Sequence, residues 1–255
     1  MTAPGLRLAG LALALLLGAT VEGAEIKSVR VCADPDNLPF SSKDAAAAGF
    51  EVELARELAS DVKFHWVPTY RWPVVARQLL DKRCDLFFGL PLDSRFVDDN
   101  PWIALSLPYY VMGQVVVSRA GEGIRRLEEL KDKVVGVESM SPGDILVAQR
   151  GYPRRIYLTP EETVEAVRTR DVHAAVLWSS SAGWLAKKTP GLEVTWIREP
   201  EGEFKVAVGM RKEDGALKTA VDQAIKRLVE ARKVDEILGR YGVPLLTERL
   251  PPTQP

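Results

Sequence analysis

"VCADPDNLPF", residues 31–40, runs out of an apolar stretch into Asp, Pro, Asp, Asn and Pro. An apolar run stopped by such residues reads as a buried strand that delivers the backbone to a turn. What the turn does depends on its flanks. Upstream, "SVRV" continues the strand. Downstream, "GFEVELARELAS" carries Phe50, Leu54 and Leu58 at helical spacing, with its acids early, where the helix dipole favours them. "VKFHWV" returns to period two. "PVVARQLLDK" is helical, with Pro73 tolerated in its first turn, and "CDLFFGL" is a buried strand stopped at Gly89. This β-α-β-α-β order implies a parallel sheet with helices on its faces. Ligands of such sheets sit beyond the carboxyl ends of the strands, which places Asp34 to Asn37 on the rim of a crevice.

Beyond Gly89 the alternation resumes. "YYVMGQVVVSR" is an apolar run. "IRRLEELKDKVVGVESMSPGDILVAQRG" reads as helix, strand, polar turn and helix. "RRIYL", a helix over "PEETVEAVRTR" and a strand over "HAAVLW" follow, with Thr159 and Pro160 in the form of an N-cap and first helical residue. A second α/β unit therefore occupies roughly residues 117–197. "FKVAVGMRK" reads as a strand, and one or two helices cover residues 215–242.

The 255 residues are 46% hydrophobic and 27% charged, with a formal net charge of -1. That balance is globular and lacks the basic stripe a nucleic-acid partner requires. At the amino end, Arg7, the apolar run "LAGLALALLLGA" and the small residues of "GATVEGA" have the form of a secretory leader, with cleavage expected between about Ala19 and Ala24. The run is short of the ~20 residues of a membrane span, so no membrane insertion of the processed chain is expected. Export would put Cys32 and Cys84 in an oxidising compartment, either as a disulfide or as two buried thiols. No cofactor and no zinc cluster is expected from two cysteines and two scattered histidines.

The order of elements resembles the type II periplasmic solute-binding proteins, and in particular their polar amino acid-binding branch. "GFEVEL" with Leu58 resembles that branch's signature at the first helix. Cys84-Asp85-Leu86 to Gly89, Arg95 and Pro108-Tyr109-Tyr110 resemble the stretch before its first crossover, "LKDKVVGVESMSPGD" the start of its second lobe, and "RKVDEILGRYG" its terminal helix. The resemblance implies an α/β, two-lobed type II periplasmic binding protein fold whose lobes are joined by two hinge strands. Residues 25–112 plus 205–248 would form lobe one and 113–204 lobe two, with 1–24 a leader and 249–255 a disordered tail. "VCADPDNLPFSS", "RCDLFFGLP", "PYYVMGQVVV" and "AAVLWSSSAGWLAKK" further resemble a specialised branch, the MoxJ/XoxJ type. These are periplasmic accessories associated with quinoprotein (PQQ-dependent) methanol and alcohol dehydrogenases. Trp178, Ala182, Gly183 and Trp184 fit that branch, while Ser179-Ser180 replaces its frequent Gly-Pro.

An amino acid ligand needs a cation for its carboxylate and an anion for its ammonium, because a charge buried without its partner costs several kcal/mol. By resemblance Arg95 stands near the carboxylate-binding position, but the ammonium-binding aspartate falls at Ser179, which carries no charge. No negative side chain from the second half of the chain is expected to reach the groove. The residues expected in the cleft are Asp34, Asn37, Trp72, Gly89, Leu90, Arg95, Ser139, Ser141, Trp178 and Ser179. Each has an alternative reading: Asp34 and Asn37 as turn or calcium-loop residues, Trp72 and Trp178 as core, Ser141 as a helix cap. "SSS" at 179–181 lacks a nucleophile elbow and a nearby histidine, so no enzyme is expected. The expected partner is a periplasmic quinoprotein alcohol dehydrogenase; the alternative is a small solute and an ABC permease.

Overall fold

The computed structural model describes residues 25–44, 46–69, 72–197 and 203–246. The leader and tail expected at the two ends lie outside the described residues. The first half opens with β1 (Ile26–Ala33), the short pair β2 (Asp36–Asn37) and β3 (Ser41–Ser42), α1 (Phe50–Leu58) and β4 (Ala59–Trp66). It continues through α2 (Trp72–Leu80), β5 (Leu86–Pro91), α3 (Ser94–Asp99), β6 (Ile103–Leu105) and β7 (Tyr110–Met112). Then come β8 (Gln114–Arg119), a 3-10 turn at Leu127–Leu130, β9 (Val135–Glu138), α4 (Pro142–Gln149) and β10 (Arg154–Tyr157). The chain ends with α5 (Pro160–Thr169), β11 (Ala174–Trp178), α6 (Ser179–Lys188), β12 (Leu192–Trp196), β13 (Phe204–Arg211), α7 (Gly215–Glu230) and α8 (Lys233–Arg240).

The strands form two main sheets, one in each lobe. The first has the order β4-β1-β5-β13-β6, with β7 also on β13; the second has the order β10-β9-β11-β8-β12. β1 lies parallel to β4 and β5, whereas β13, arriving from the far end of the chain, is antiparallel to β5, β6 and β7. Each sheet is covered on both faces. Phe50, Leu54, Leu58, Leu86, Val208, Ile237 and Leu238 share the first lobe's main core. In the second, Val116, Val135, Val137 and Leu146 pack on one face and Val117, Val164, Val167 and Ala175 on the other. This double covering explains why β8 and β11 read as unbroken apolar runs.

One expectation changes, and one helix is new. The helix expected over "IRRLEELKDK" is only the 3-10 turn, which buries Leu127 and Leu130 and leaves the intervening charges outside. The serine run at 179–181 opens α6, a ten-residue helix that periodicity did not announce.

The signature at α1 has a structural explanation. Gly49 holds φ at +93°, and a Cβ there would fall 2.3 Å from the Phe40 carbonyl oxygen, so only glycine fits. Its N–H donates to the Tyr241 hydroxyl (2.9 Å), which itself donates to Glu53 (2.6 Å). Glu53 also pairs with Arg240. "GFEVEL" and "GRYG" are thus two halves of one contact that fastens the terminal helix to the first.

Cys32 and Cys84 form a disulfide, with Cα atoms 5.4 Å apart, under the completely buried Val75 and Leu79. It closes a loop of 52 residues in sequence. Replacing both cysteines by alanine is expected to cost about 3–4 kcal/mol, chiefly through the freed unfolded chain. Urea unfolding of the double variant measures this; a loss below ~1 kcal/mol would show that the bridge does not constrain the unfolded state.

Candidate functional site

The register locates the crevice. Pro91, at the carboxyl end of β5, pairs with Val206 near the start of β13, and Leu92 N–H donates to Lys205 O (2.7 Å). In the other sheet Trp178, at the carboxyl end of β11, pairs with Gln114, the first residue of β8. Both sheets therefore turn the carboxyl ends of their parallel strands toward the two connections between lobes, where binding crevices of open α/β sheets form. The two connections run side by side: β7 pairs with the start of β13, Met112 opposite Phe204.

Several residues expected to face a ligand are already committed to the protein. The Asp34 carboxylate accepts from Thr69 N–H (2.6 Å), the Thr69 hydroxyl (3.1 Å) and Asp36 N–H (3.0 Å). It braces the loop after β4 against the turn after β1. Among the described residues no His, Cys, Asp or Glu cluster is arranged to hold a metal ion. Asn37 is exposed in the β2–β3 pair. Trp72 donates from Nε1 to Asn100 (3.0 Å) and packs among Phe87, Phe96 and Trp102, stacking on Trp102 with centroids 6.1 Å apart. Leu90 is buried against Ile103 and Ala207. Ser141 caps α4, accepting from Asp144 N–H (3.1 Å), which is the simpler of its two readings. Ser139 is exposed.

Ser179 belongs to the hinge. Its N–H donates to Gly113 O (2.8 Å), and its Oγ lies 3.4 Å from Gly113 N. Beside it Tyr110 Oη and Ser180 Oγ are 3.4 Å apart. Further along α6, Gly183 lies so close to the turn after α8 that a Cβ would stand 2.1 Å from the Gly242 carbonyl oxygen. Trp184 meets Tyr241 at 5.6 Å, and Lys187 donates to Arg240 O (2.6 Å). One face of α6 thus fastens the second lobe to the first, independently of the two connecting strands.

Of the residues expected in the cleft, Trp178 and Arg95 keep side-chain surface free. Trp178 is partly exposed and packs on Phe204, centroids 5.5 Å apart. Arg95, on α3, is exposed and makes no hydrogen bond or ion pair among the described residues. One acid of the second half lies at a strand end on this side of the molecule. Glu138 ends β9, half-buried and without a cationic partner among the described residues. Burial, then the neighbouring charge of Glu161, raise its pKa above the usual carboxylate range. It stands on β9, toward α5, and not at the Ser179 position.

Glu51 is not marked by the sequence pattern, because an acid in a first helical turn needs no explanation beyond the dipole. β5 and β13 do not stay in register: Leu90 faces Ala207 but Phe87 faces Gly209, so Phe88 and Gly89 together oppose Val208. This bulge turns Gly89 to φ +85° and frees its N–H, which donates to the Tyr109 hydroxyl (3.1 Å). That hydroxyl lies 3.4 Å from Glu51 Oε1, and the same oxygen fills the space a Gly89 Cβ would need, at 2.8 Å. Burial pushes the Glu51 pKa up to about 8, with Tyr109's hydrogen bond opposing weakly. At neutral pH the carboxyl is therefore largely protonated.

Comparison with known proteins gives consistent results. The profile of the bacterial extracellular solute-binding proteins, family 3, matches residues 29–244. Protein MoxJ of Methylorubrum extorquens is 27% identical over 86% of this chain and 82% of its own. The lysine/arginine/ornithine-binding periplasmic protein of Escherichia coli K12 is 24% identical over 91% of this chain and 95% of its own. Among solved structures, the periplasmic binding protein XoxJ of Methylobacterium extorquens AM1 superposes with a TM-score of 0.65 at 24% identity, covering 86% of this chain and all of that one.

Proposed function

The chain belongs to the bacterial extracellular solute-binding proteins, family 3, and from that premise we propose that it is a non-enzymatic periplasmic accessory of a PQQ-dependent methanol or alcohol dehydrogenase. In this reading it is exported behind residues 1–24, divides into lobes at 25–112 plus 205–248 and 113–204, and meets the enzyme through the interlobe cleft. The observation that carries it is Ser179. In amino acid-binding relatives the resemblance puts a carboxylate at this position; here an uncharged, completely buried side chain engages the hinge backbone. A bound ammonium would lose water there without gaining an anion. The similarity to MoxJ adds support, as does the aromatic surface of Trp178 and Phe204, which suits a polypeptide better than a zwitterion.

The second reading is a receptor that delivers a small solute other than a standard amino acid to an ABC permease. It draws on the lysine/arginine/ornithine-binding relative, whose length this chain nearly spans. Calorimetry tests both readings, and binding of the dehydrogenase separates them. No standard amino acid is expected to bind at 100 μM, roughly a −5 kcal/mol threshold, whereas the purified dehydrogenase of the same cells is expected to bind. Micromolar binding of any one amino acid would overturn the accessory reading.

A further inference from the structure

Among the described residues eight large apolar side chains are exposed. Four of them, Met140, Ile145, Ile156 and Leu158, lie in one part of the second lobe. Met140 (88% exposed) and Leu158 (78%) are the two barest; Leu158 directly follows β10 and Met140 lies two residues past the end of β9. Ser139 N–H donates to Tyr157 O (2.8 Å), which ties the ends of β9 and β10 together, so that Met140 and Leu158 stand on adjoining strand exits. Ile156, paired in register with Val137, continues the apolar surface along β10, and Ile145 lies in the first turns of α4 just past Met140. Scattered single apolar residues need no explanation, but adjoining ones at a crevice edge do.

Three further observations bear on what covers this lip. Met140 holds a left-handed backbone, φ +57°, a conformation costing a non-glycine residue about 1 kcal/mol or more. The turn therefore holds Met140 in a sparsely populated backbone conformation while its side chain stands in water. β10 is the edge of its sheet and pairs only with β9 among the described residues, leaving its outer side open to an added strand. Beside the lip stand Glu138, Glu161 and Glu162. Glu162 accepts from Leu158 N–H (3.0 Å), while Glu138 and Glu161 repel each other with no ion pair between them and any cation among the described residues. Arg154, on β10, is taken by Asp144 (2.6 Å); Arg155, on the face of β10 toward Glu138, pairs with neither acid.

We propose that the lip of Met140 and Leu158, with edge strand β10, is where an extended segment of a partner protein docks. The segment bears apolar side chains and a basic side chain that meets Glu138 and Glu161. This rests on the accessory reading above, to which it adds a surface and a chemistry for the segment. The apolar side chains of the segment cover the lip, its backbone extends the sheet beyond β10, and its cation relieves the repulsion between the two acids.

The test uses the full chain and the purified quinoprotein dehydrogenase of the same cells as probe, with binding followed by biolayer interferometry at several salt concentrations. Met140→Ser combined with Leu158→Ser should weaken binding by about 10- to 100-fold, the effect of withdrawing two apolar side chains from an interface. Glu138→Gln combined with Glu161→Gln should weaken it and flatten its salt dependence. Leu80→Ser, another exposed apolar site, on α2 (49% exposed), should change nothing. If the enzyme binds wild type and both double variants alike, the lip is not the docking surface, although the accessory reading stands. If the enzyme ignores the wild type, both fall. If sedimentation shows wild type self-associating and Met140→Ser with Leu158→Ser remaining monomeric, the occupant is a second copy of this chain and the proposal is overturned.

Discussion

Replacing Glu51 by glutamine is expected to leave stability near pH 4.5 almost unchanged and to raise it by about 3–5 kcal/mol at pH 9. The carboxyl lies against the β5 bulge, and burial pushes its pKa up to about 8 from an ordinary value of 4.5. Between those two values the folded chain holds a proton that the unfolded chain has released. Stability carried by this group is therefore complete below about pH 4.5, declines as pH rises toward 8, and is absent above it. Glutamine keeps the shape of the neutral acid and cannot ionise, so its stability curve lacks this decline. Urea unfolding from pH 5 to pH 9 compares the two directly. Parallel curves for wild type and variant would mean that Glu51 ionises normally in the folded protein and that the bulge does not enclose it.

The second large effect is at Gly183. A methyl group there meets the carbonyl oxygen and carbon of Gly242 at 2.1 and 2.8 Å, and Pro244 Cδ at 2.8 Å. These are backbone and ring atoms with no rotamer to change. Gly242 is equally confined, with φ +72° and the Gly183 oxygen 2.7 Å from its own hypothetical Cβ. Gly183→Ala is expected to destabilise by about 3 kcal/mol or more and to move the lobes apart at the α6 face. Gly239→Ala, in α8 with nothing within 4 Å of its hypothetical Cβ, should instead stabilise by about 0.5–1 kcal/mol, because alanine suits a helix better. Thermal unfolding and small-angle scattering read the two outcomes. An unchanged melting temperature and radius of gyration for Gly183→Ala would show that the contact yields freely and does not hold the lobes.

Much of the fold was legible because hydrophobic periodicity reports which face of an element is buried. β1, α1, β5, α5 and β11 were readable this way, and Thr159-Pro160 marked a helix start that the structure repeats, with Thr159 accepting from Glu162 N–H. α6 was not, because Ser179 to Ser181 favour turns and caps, and their helix is imposed by packing against the hinge. The "LEEL" segment erred the other way: its leucines three apart satisfy a single 3-10 turn as well as a longer helix. The candidate site was legible in position more than in orientation. Strand ends mark where a crevice lies, but not whether a side chain turns into it. Asp34 and Trp72 turn toward their own lobe, Ser179 toward the hinge, and Met140 and Leu158, which no pattern singled out, turn to solvent.

The position of β13 between β5 and β6 has a kinetic consequence. Synthesis proceeds from the amino end, so all five strands of the second sheet, residues 114–196, are available before residues 204–211 exist. The first sheet, begun earlier, must wait with the β5 flank unpaired and its apolar surface uncovered. The lobe started first is finished last, and its slow, long-range closure sets the interval during which the nascent polypeptide is most vulnerable to aggregation.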